Sequence, residues 1–222
     1  MKVLVINGSP RNIGVTAKTL HVIEKELVDF GVDVEFVELG KINMSHCIGC
    51  CSCYTTGKCH IDDDAEELSK KIAEADGLVL GSPTYASNVS GIMKDFIDRG
   101  HFVIEQLLFG KYCVTVATGE NYGNKDTLKV LNNLVLYSGG KLSDSVLIKA
   151  PFNDASGVEE MVNAKGKKAA RKLFYGIGKK SVHPLQSLFH FIIFNFGIRS
   201  FVQKKGKKYS GVVKKWEAMG IC

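Results

Sequence analysis

The chain has 222 residues, of which 45% are hydrophobic and 23% charged, so it is long enough for one globular domain with a buried core and a shorter appendage. The first apolar run leads directly into a glycine turn, and the apolar stretches fall short of a bilayer span. We therefore expect neither a secretion signal nor a membrane span, and a cytoplasmic location. The odd count of seven cysteines argues against a disulfide framework; Cys113 is expected in the core and Cys222 to be incidental.

Charge is distributed unevenly along the chain. Residues 1–163 contain 15 Lys and Arg against 22 Asp and Glu, whereas residues 164–222 contain 14 against one. A strongly basic C-terminal quarter is typical of a segment that meets nucleic acid, an anionic membrane surface or an acidic partner, and also of a plain solvated face.

Short runs rich in Val, Ile and Leu alternate with segments of helical period, which predicts a parallel sheet covered by helices on both faces. Strands are predicted at residues 2–6, 33–38, 77–80, 112–117 and 145–148, and helices at residues 16–30, 63–75, 89–110, 125–137 and 158–175. The fold class is therefore α/β, a doubly wound five-stranded parallel sheet in residues 1–178, followed by a basic helical extension in residues 179–222.

The loop after the first strand, residues 8–16, opens directly into a helix and is predicted to cradle a phosphate. Its glycines let backbone N–H groups turn inward, Ser9 and Thr16 add hydroxyl groups, and Arg11 adds positive charge at a helix N-terminus. Val15 stands where a Walker A loop has lysine, and the G-x-G-x-x-G pattern is absent, so neither nucleotide hydrolysis nor a Rossmann dinucleotide site is favoured.

Two further loops follow strands whose carboxyl ends should meet at the same edge of the sheet. Residues 81–91, after the third strand, combine Tyr85 with small polar residues, which suits a planar heterocycle. Residues 117–124, after the fourth strand, are rich in glycine, which permits main-chain N–H groups to approach a ring edge.

Five cysteines lie within residues 47–59, after the second strand. Four of them have the spacing C-x2-C-x2-C-x5-C: Cys47, Cys50, Cys53 and Cys59. A single run of thiolates at this spacing favours an iron-sulfur cluster, with structural zinc and a metal-free loop as the alternatives. Cys51 is expected to point away, and His46 and His60 to have structural roles. The cysteine loop is expected near the same edge of the sheet as the loops that follow the first, third and fourth strands.

The C-terminal extension combines an aromatic, apolar stretch at residues 181–197 with a lysine-rich stretch at residues 203–209. A helix that docks onto its own domain or onto a dimer partner is the favoured interpretation. Contact with an anionic membrane surface is the less favoured alternative. We expect no nucleic-acid binding, because no recognition fold is present.

Four segments carry a resemblance to a known family: Gly8-Ser9-Pro10-Arg11, Gly81-Ser82-Pro83-Thr84-Tyr85, Met93-Lys94-Asp95-Phe96-Ile97-Asp98-Arg99 and Thr118-Gly119. Together they resemble the NADPH-dependent FMN reductase branch of the flavodoxin-like proteins. The cysteine run, followed by acidic residues at 62–64, is similar to the compact motif of the iron-sulfur flavoproteins within that branch. The resemblance covers about residues 1–175.

The resemblance implies a flavodoxin-like fold that binds FMN. The phosphate loop would comprise Ser9, Arg11, Asn12, Gly14, Val15 and Thr16, and the ring would lie against Pro83, Thr84, Tyr85 and Asn88, with Thr118 and Gly119 at its pyrimidine edge. Val15 replaces an asparagine that the family often has and cannot donate a side-chain hydrogen bond. The resemblance also implies a homodimer or homotetramer.

The leading hypothesis is an oxidoreductase in which FMN and a [4Fe-4S] cluster on the four cysteines exchange electrons, with NAD(P)H as a possible donor and a small molecule or a protein as redox partner. Chemistry would reside in the cofactors, so no catalytic side chain is predicted. The alternatives are a cluster-free NAD(P)H:flavin or quinone reductase, and a non-enzymatic electron carrier that docks a partner through its basic tail.

Overall fold

A five-stranded parallel sheet forms the centre of the protein in the computed structural model, which describes residues 1–151 and 157–221; Cys222 lies outside these residues. The strands are β1 (Lys2–Asn7), β2 (Asp33–Glu38), β3 (Gly77–Pro83), β4 (Tyr112–Gly119) and β5 (Lys141–Lys149). Their order is β2-β1-β3-β4-β5, so the chain reverses direction across the sheet between β1 and β3. All five predicted strands are confirmed, and this order is that of flavodoxin-like folds.

The helices alternate with the strands as predicted and continue beyond them into the C-terminal extension. They are α1 (Val15–Asp29), α2 (Ser52–Thr56), α3 (Ala65–Glu74), α4 (Gly91–Arg99), α5 (Phe102–Glu105), α6 (Asn124–Tyr137), α7 (Glu159–Gly178), α8 (Pro184–Ile192), α9 (Ser200–Lys205) and α10 (Ser210–Ala218). Short 3-10 turns occur at Leu39–Lys41 and Gly206–Tyr209, and Ile193–Arg199 is a π-helical segment between α8 and α9.

One predicted helix is wrong in extent. The segment 89–110 is not one helix but two, because the chain breaks after α4 at Gly100 and His101, where His101 has a left-handed φ of 49°. This break turns α5 away from the axis of α4. Phe96 and Phe102 suggested one long helix, but they belong to different helices. Their rings pack against each other with centroids 5.0 Å apart.

Helices cover both faces of the sheet, and each face has its own core. On one face α1 and α7 pack against the strands, with Leu20 and Leu173 fully buried. On the other face α3, α4 and α6 do so, with Phe96 and Leu131 buried. Burial of the sheet on both faces explains why the strands are nearly continuous apolar runs.

The ends of β1 and β3 approach very closely at the reversal point. Gly8 donates its N–H to the carbonyl of Gly81 at 2.8 Å, and a Cβ at Gly8 would lie 2.8 Å from the Cβ of Met93. Only glycine fits there, so the loop after β1 is held against the start of α4.

The C-terminal extension folds back on itself and docks on its own domain. The rings of Phe194 and Trp216 lie 5.0 Å apart, although a straight helix would separate them by about 33 Å, so the chain reverses near Gly206. Trp216 is 1% exposed and donates Nε1–H to the carbonyl of Ile104 at 3.0 Å. Docking on the chain's own domain is therefore observed.

The extension also corrects an expectation about apolar length. The helical run Pro184–Ala218 is long and apolar enough, by length and composition alone, to cross a membrane. Its buried residues include Phe194, Val202 and Val212, which pack in one cluster. Helix continues through Asn195 and Gly197, but the chain reverses near Gly206, so the run is folded back on itself in this structure.

Candidate active site and cysteine loop

The loops after β1, β3 and β4 meet in one cleft at the carboxyl edge of the sheet, where parallel folds of this type bind ligands. Its lining comprises Ser9, Arg11, Gly14, Val15, Thr16, Pro83, Thr84, Tyr85, Thr118, Gly119, Ala150 and Pro151. Ten of the twelve residues predicted for a cofactor site are thus brought together. Ala150 and Pro151, which follow β5, were missed because nothing in their sequence marks them.

The other two predicted residues lie outside this lining. Asn12 is exposed at the tip of the first loop. Asn88 pairs with the backbone of Tyr85, and its Oδ1 accepts the N–H of Val89 at 2.8 Å. Asn88 therefore shapes the second loop.

The first loop presents backbone donors at the N-terminus of α1. The first helical bond runs from the N–H of Lys18 to the carbonyl of Gly14 at 2.9 Å, so the N–H groups of residues 15–17 have no helical acceptor. Gly14 supplies no side-chain cap, and the first turn has no acidic residue. These donors and the helix dipole favour an anion.

Ser9, which lines the cleft, also closes a local turn in the first loop. Its hydroxyl accepts the N–H of Arg11 at 3.1 Å and donates to the carbonyl of the same residue at 3.2 Å. The hydroxyl therefore closes a local turn and has no hydrogen left for a phosphate oxygen.

Thr16 and Thr118 join the first and third loops inside the cleft. Their hydroxyl oxygens are 2.6 Å apart, and the residues are only 2% and 5% exposed. Each hydroxyl has one hydrogen, so whichever accepts this bond keeps its own hydrogen for a ligand.

Thr84 provides a buried polar atom in the cleft. Its N–H donates to the carbonyl of Thr118 at 2.7 Å, which fixes the residue against the third loop. Its Oγ1 is buried and makes no hydrogen bond among the described residues. Buried hydroxyls nearly always have a partner, so this atom fits a polar ligand in the cleft.

The cysteine loop runs from Ser45 to Cys59, and its thiols are free of disulfides. Cys47, Cys50 and Cys51 are exposed, Cys59 is half-buried and Cys53 is buried. In residues 1–151 and 157–221, no group of three or more His, Cys, Asp and Glu side chains is close enough to hold a metal ion. The four sulfurs therefore do not converge in this conformation.

Individual contacts distinguish the thiols from one another. Cys50 Sγ lies 3.3 Å from Nδ1 of His60, whereas Cys51 has a left-handed φ of 60° and directs its Sγ to the carbonyl of Gly49 at 3.5 Å. Burial, then the nearby carboxylate of Glu105, raises the pKa of Cys53 to about 12. Without a bound cation, Cys53 is therefore a neutral thiol.

Arg99 ties the two ends of the cysteine loop together. Its guanidinium donates to the carbonyl of Ser45 at 2.7 Å, to the two carboxylate oxygens of Asp63 at 2.7 and 2.8 Å, and to Cys59 Sγ at 3.5 Å. Burial alone would raise the pKa of Asp63, but hydrogen bonds from Arg99 and from two backbone N–H groups outweigh it and lower the pKa to about 2.

Neither Arg99 nor Asp63 was assigned a role from the sequence. Arg99 stands in a helix motif and Asp63 in an acidic run, and neither pattern says that the two side chains meet across 36 residues. The burial of an arginine at the end of an otherwise amphipathic helix is visible only in the tertiary structure.

Helix α10 of the extension covers the other side of the cysteine loop. Ser210 donates to the carbonyl of Thr55 at 3.1 Å, and Thr55 donates to the carbonyl of Lys208 at 2.9 Å. A Cβ at Gly211 would lie 2.2 Å from the backbone N of Gly57, so the two glycines bring helix and loop into direct backbone contact.

The cleft and the cysteine loop lie at opposite ends of α4. Ser90 caps this helix and donates to the carbonyl of Gly8 beside the cleft, whereas Arg99 in its last turn contacts Cys59. Nine helical steps separate these residues by about 14 Å. The sequence predicts the cysteine loop near the same carboxyl edge as the loops after β1, β3 and β4; it follows β2 from that edge, but His46, paired with Asp95, and Cys59 lie along α4 away from it.

Comparison with known proteins agrees with this architecture. The family described as NADPH-dependent FMN reductase matches residues 1–148. The chain belongs to this family. It is 37% identical to an iron-sulfur flavoprotein of Clostridioides difficile (strain 630) over 225 residues, which span 100% of both chains. An iron-sulfur flavoprotein of Methanocaldococcus jannaschii is 36% identical over 141 residues, covering 61% of this chain and 72% of that protein.

Solved structures show the same fold. A flavone reductase superposes with a TM-score of 0.65 at 19% identity, covering 81% of this chain and 64% of that one. As a member of the NADPH-dependent FMN reductase family, the protein is an FMN-dependent oxidoreductase.

The cleft fits the FMN of this family. The N–H groups of residues 15–17, which have no helical acceptor, suit a phosphate, and the Oγ1 of Thr84, unpartnered in the part of the chain that the structure describes, suits a polar atom of a flavin. The cysteine loop fits a cluster by the chemistry of its donors, because four thiols of one short segment are free of disulfides and one of them contacts a guanidinium.

Proposed function

We propose that this protein is an iron-sulfur flavoprotein that transfers electrons between FMN in the cleft and a [4Fe-4S] cluster on Cys47, Cys50, Cys53 and Cys59. The observation that carries the FMN half is the buried, unpartnered hydroxyl of Thr84 among the three loops. The full-length similarity to an iron-sulfur flavoprotein supports the cluster half.

Within the cleft, the chain binds and orients the cofactor. Backbone N–H groups at the start of α1, the Thr16–Thr118 hydroxyl pair and the charge of Arg11 would hold the phosphate. Thr84 would hold a polar atom of the ring. FMN, when bound, supplies hydride and single-electron chemistry. Val15 would contribute only its backbone N–H. The helix N-terminus would therefore account for a larger share of the phosphate binding than in family members that have asparagine at this position.

Within the cysteine loop, the chain would hold the cluster and hydrogen-bond one of its ligands. Four thiolates of a bound cluster would bring negative charge into a region that α10 partly covers, and the guanidinium of Arg99, held in place by Asp63, would donate a hydrogen bond to the sulfur of Cys59. Cys51 is left out of the ligand set because its exposed Sγ is directed to Gly49.

We further propose NAD(P)H as the electron donor, a small molecule or a protein as the redox partner, a homodimer or homotetramer as the working state, and a cytoplasmic location. NADPH appears in the description of the family, which supports the first of these. The division into a flavin domain, 1–178, and an extension, 179–222, also stays a proposal.

The test is purification without oxygen, followed by iron, acid-labile sulfide and flavin analysis. We expect about four irons and four sulfides per FMN. Cys53→Ser should remove most of the iron and leave FMN in place, because the cleft lies at the other end of α4. Cys51→Ser is the matched control and should keep the iron. FMN-containing protein without iron or sulfide would refute the cluster.

The second candidate function is a cluster-free NAD(P)H:flavin or quinone reductase. It is favoured by one observation, that the four sulfurs do not converge in the described structure. Steady-state NAD(P)H oxidation by the Cys53→Ser variant distinguishes the two. A cluster-free reductase keeps its full rate with every acceptor, whereas the proposed protein loses the transfer to single-electron acceptors.

The third candidate, an electron carrier that docks through its basic tail, predicts negligible NAD(P)H oxidation and fast reduction by a reduced ferredoxin. Salt should slow this reduction steeply if the lysines of the tail carry the encounter. Substantial NAD(P)H oxidation would exclude a pure carrier.

A further inference from the structure

The outer face of the C-terminal extension carries a stripe of exposed apolar side chains. Leu185, Leu188, Ile192 and Phe196 are 81%, 57%, 48% and 75% exposed, and they recur every three or four residues along α8 and the π-helical segment. Phe189, 38% exposed, flanks the stripe. Such spacing places these residues on one side of the helix, away from the protein.

The stripe is an independent feature of the extension and not the edge of its core. Phe194 and Ile198 of the same segment are 3% and 8% exposed and pack inward in the cluster that contains Trp216. One side of the segment therefore anchors it to the domain, and the opposite side presents hydrocarbon to solvent. Residues 181–198 contain no Asp, Glu, Lys or Arg.

Basic residues bracket the stripe at its N-terminal end. A cavity of about 640 Å³ lies beside residues 181 and 183, immediately before the stripe. Four cations of α7 line it: Lys167, Lys168, Arg171 and Lys172. Two of them are paired, Arg171 with Glu26 and Lys172 with Asp144, but no carboxylate among the described residues lines the cavity itself.

A second basic group brackets the C-terminal end. Lys204, Lys205, Lys207 and Lys208 are all exposed. The ammonium of Lys205 lies 5.1 Å from the ring centroid of Phe201, and Phe201 lines one groove with Ile192 and Phe196. The lysines therefore begin where the apolar surface ends.

Charge decides what can cover this surface. Residues 164–222 contain 14 Lys and Arg and only one acid, Glu217. A second copy laid along the stripe, parallel or antiparallel, would bring one basic group against another, which is unfavourable. An anionic bilayer surface offers hydrocarbon for the stripe and phosphate for both basic groups at once.

We propose that this surface docks the protein onto an anionic lipid membrane, with α8 and the π-helical segment lying in the plane of the interface. The helix lies on the bilayer and does not cross it, because its inner side is packed against α5 and α10 through Ile104 and Trp216. The apolar stripe supplies insertion, and the two basic groups supply attraction to lipid phosphate.

The test is sedimentation of the full chain with phosphatidylcholine vesicles that contain or lack about one third phosphatidylglycerol. We expect about tenfold more bound protein on the anionic vesicles, and less binding as salt rises. The double variant Leu185→Gln and Phe196→Gln should abolish binding and leave FMN content unchanged. Val28→Gln, which changes an exposed apolar residue of α1, is the control and should bind like the unaltered protein.

Charge is tested separately with matched double variants. Lys204→Gln with Lys205→Gln should weaken binding about tenfold, whereas Lys125→Gln with Lys129→Gln, an equal change of charge on exposed positions of α6, should have little effect. Equal binding to both vesicle types would overturn the proposal. So would the absence of vesicle binding together with a dimer that the Leu185 and Phe196 substitutions dissociate, since the stripe would then join two copies.

Discussion

Arg99 and Asp63 form a buried bidentate ion pair that closes the cysteine loop. Their side chains are 1% and 2% exposed, and the same guanidinium reaches Ser45 before the cysteines and Cys59 at their end. The ion pair therefore links the two ends of the cysteine loop, as a disulfide could, and leaves the thiols free.

Breaking this pair should be costly. Asp63→Asn leaves the Arg99 charge buried without its partner, and we expect the free energy of unfolding to fall by about 3–5 kcal/mol in denaturant titrations. Asp29→Asn removes the carboxylate of an exposed pair with Lys25 and should cost less than about 1 kcal/mol. Similar losses in the two variants would contradict the role given to Arg99 and Asp63.

The same carboxylate predicts the acid response of the protein. The pKa of Asp63 is about 2 in the folded state against an ordinary value of 3.8, so the ionised form stabilises the fold above about pH 4. This contribution, about 2 kcal/mol, is lost as the pH falls through 2. The stability difference between the unaltered protein and Asp63→Asn should therefore shrink by about this amount between pH 4 and 2; a difference that stays constant would contradict the assignment.

Thr84→Val should act in opposite directions on stability and on cofactor affinity. It removes a buried hydroxyl that lacks a partner, so the apoprotein should be as stable as before or more so, while FMN binding weakens about tenfold. Thr127 provides the matched control, since its Oγ1 is also buried without a partner but lies outside the cleft.

Unfolding of the apoprotein and FMN titration by flavin fluorescence measure these two effects. Thr127→Val should resemble Thr84→Val in stability and the unaltered protein in FMN affinity. Unchanged affinity in Thr84→Val would remove this hydroxyl from the flavin site.

Contact between the extension and the cysteine loop depends on Gly211. In Gly211→Ala the new methyl would lie 2.2 Å from the backbone N of Gly57, so helix and loop must separate, with a loss of about 1–3 kcal/mol. Limited trypsin digestion should then cut the lysine-rich tail faster, and the iron content should fall. Gly197→Ala is the control, because a Cβ at this position of the extension would have no atom within 4 Å. It should change neither the digestion rate nor the iron content.

The sequence alone determined the sheet, most of the helices that cover it and the loops that line most of the cleft. Strands that are buried on both faces are continuous apolar runs, which are visible in the sequence. Loops such as residues 8–16 are rich in glycine and hydroxyl residues, which indicates a ligand-binding turn without knowledge of distant residues. The thiol spacing likewise indicated a cluster loop, because cluster ligands come from one short segment.

Only the tertiary structure decided how these parts are joined. The break at Gly100, the pairing of Arg99 with Asp63, the closed turn of Ser9 and the fit of Gly211 on Gly57 each depend on atoms brought together from distant or differently directed segments. The extension shows the difference most plainly. Its sequence indicated an apolar, basic helix, but which side packs on the domain and which faces solvent follows from the burial of Phe194 and the exposure of Phe196. Such a choice depends on the shape of the surface that receives the helix, and no local pattern encodes that shape.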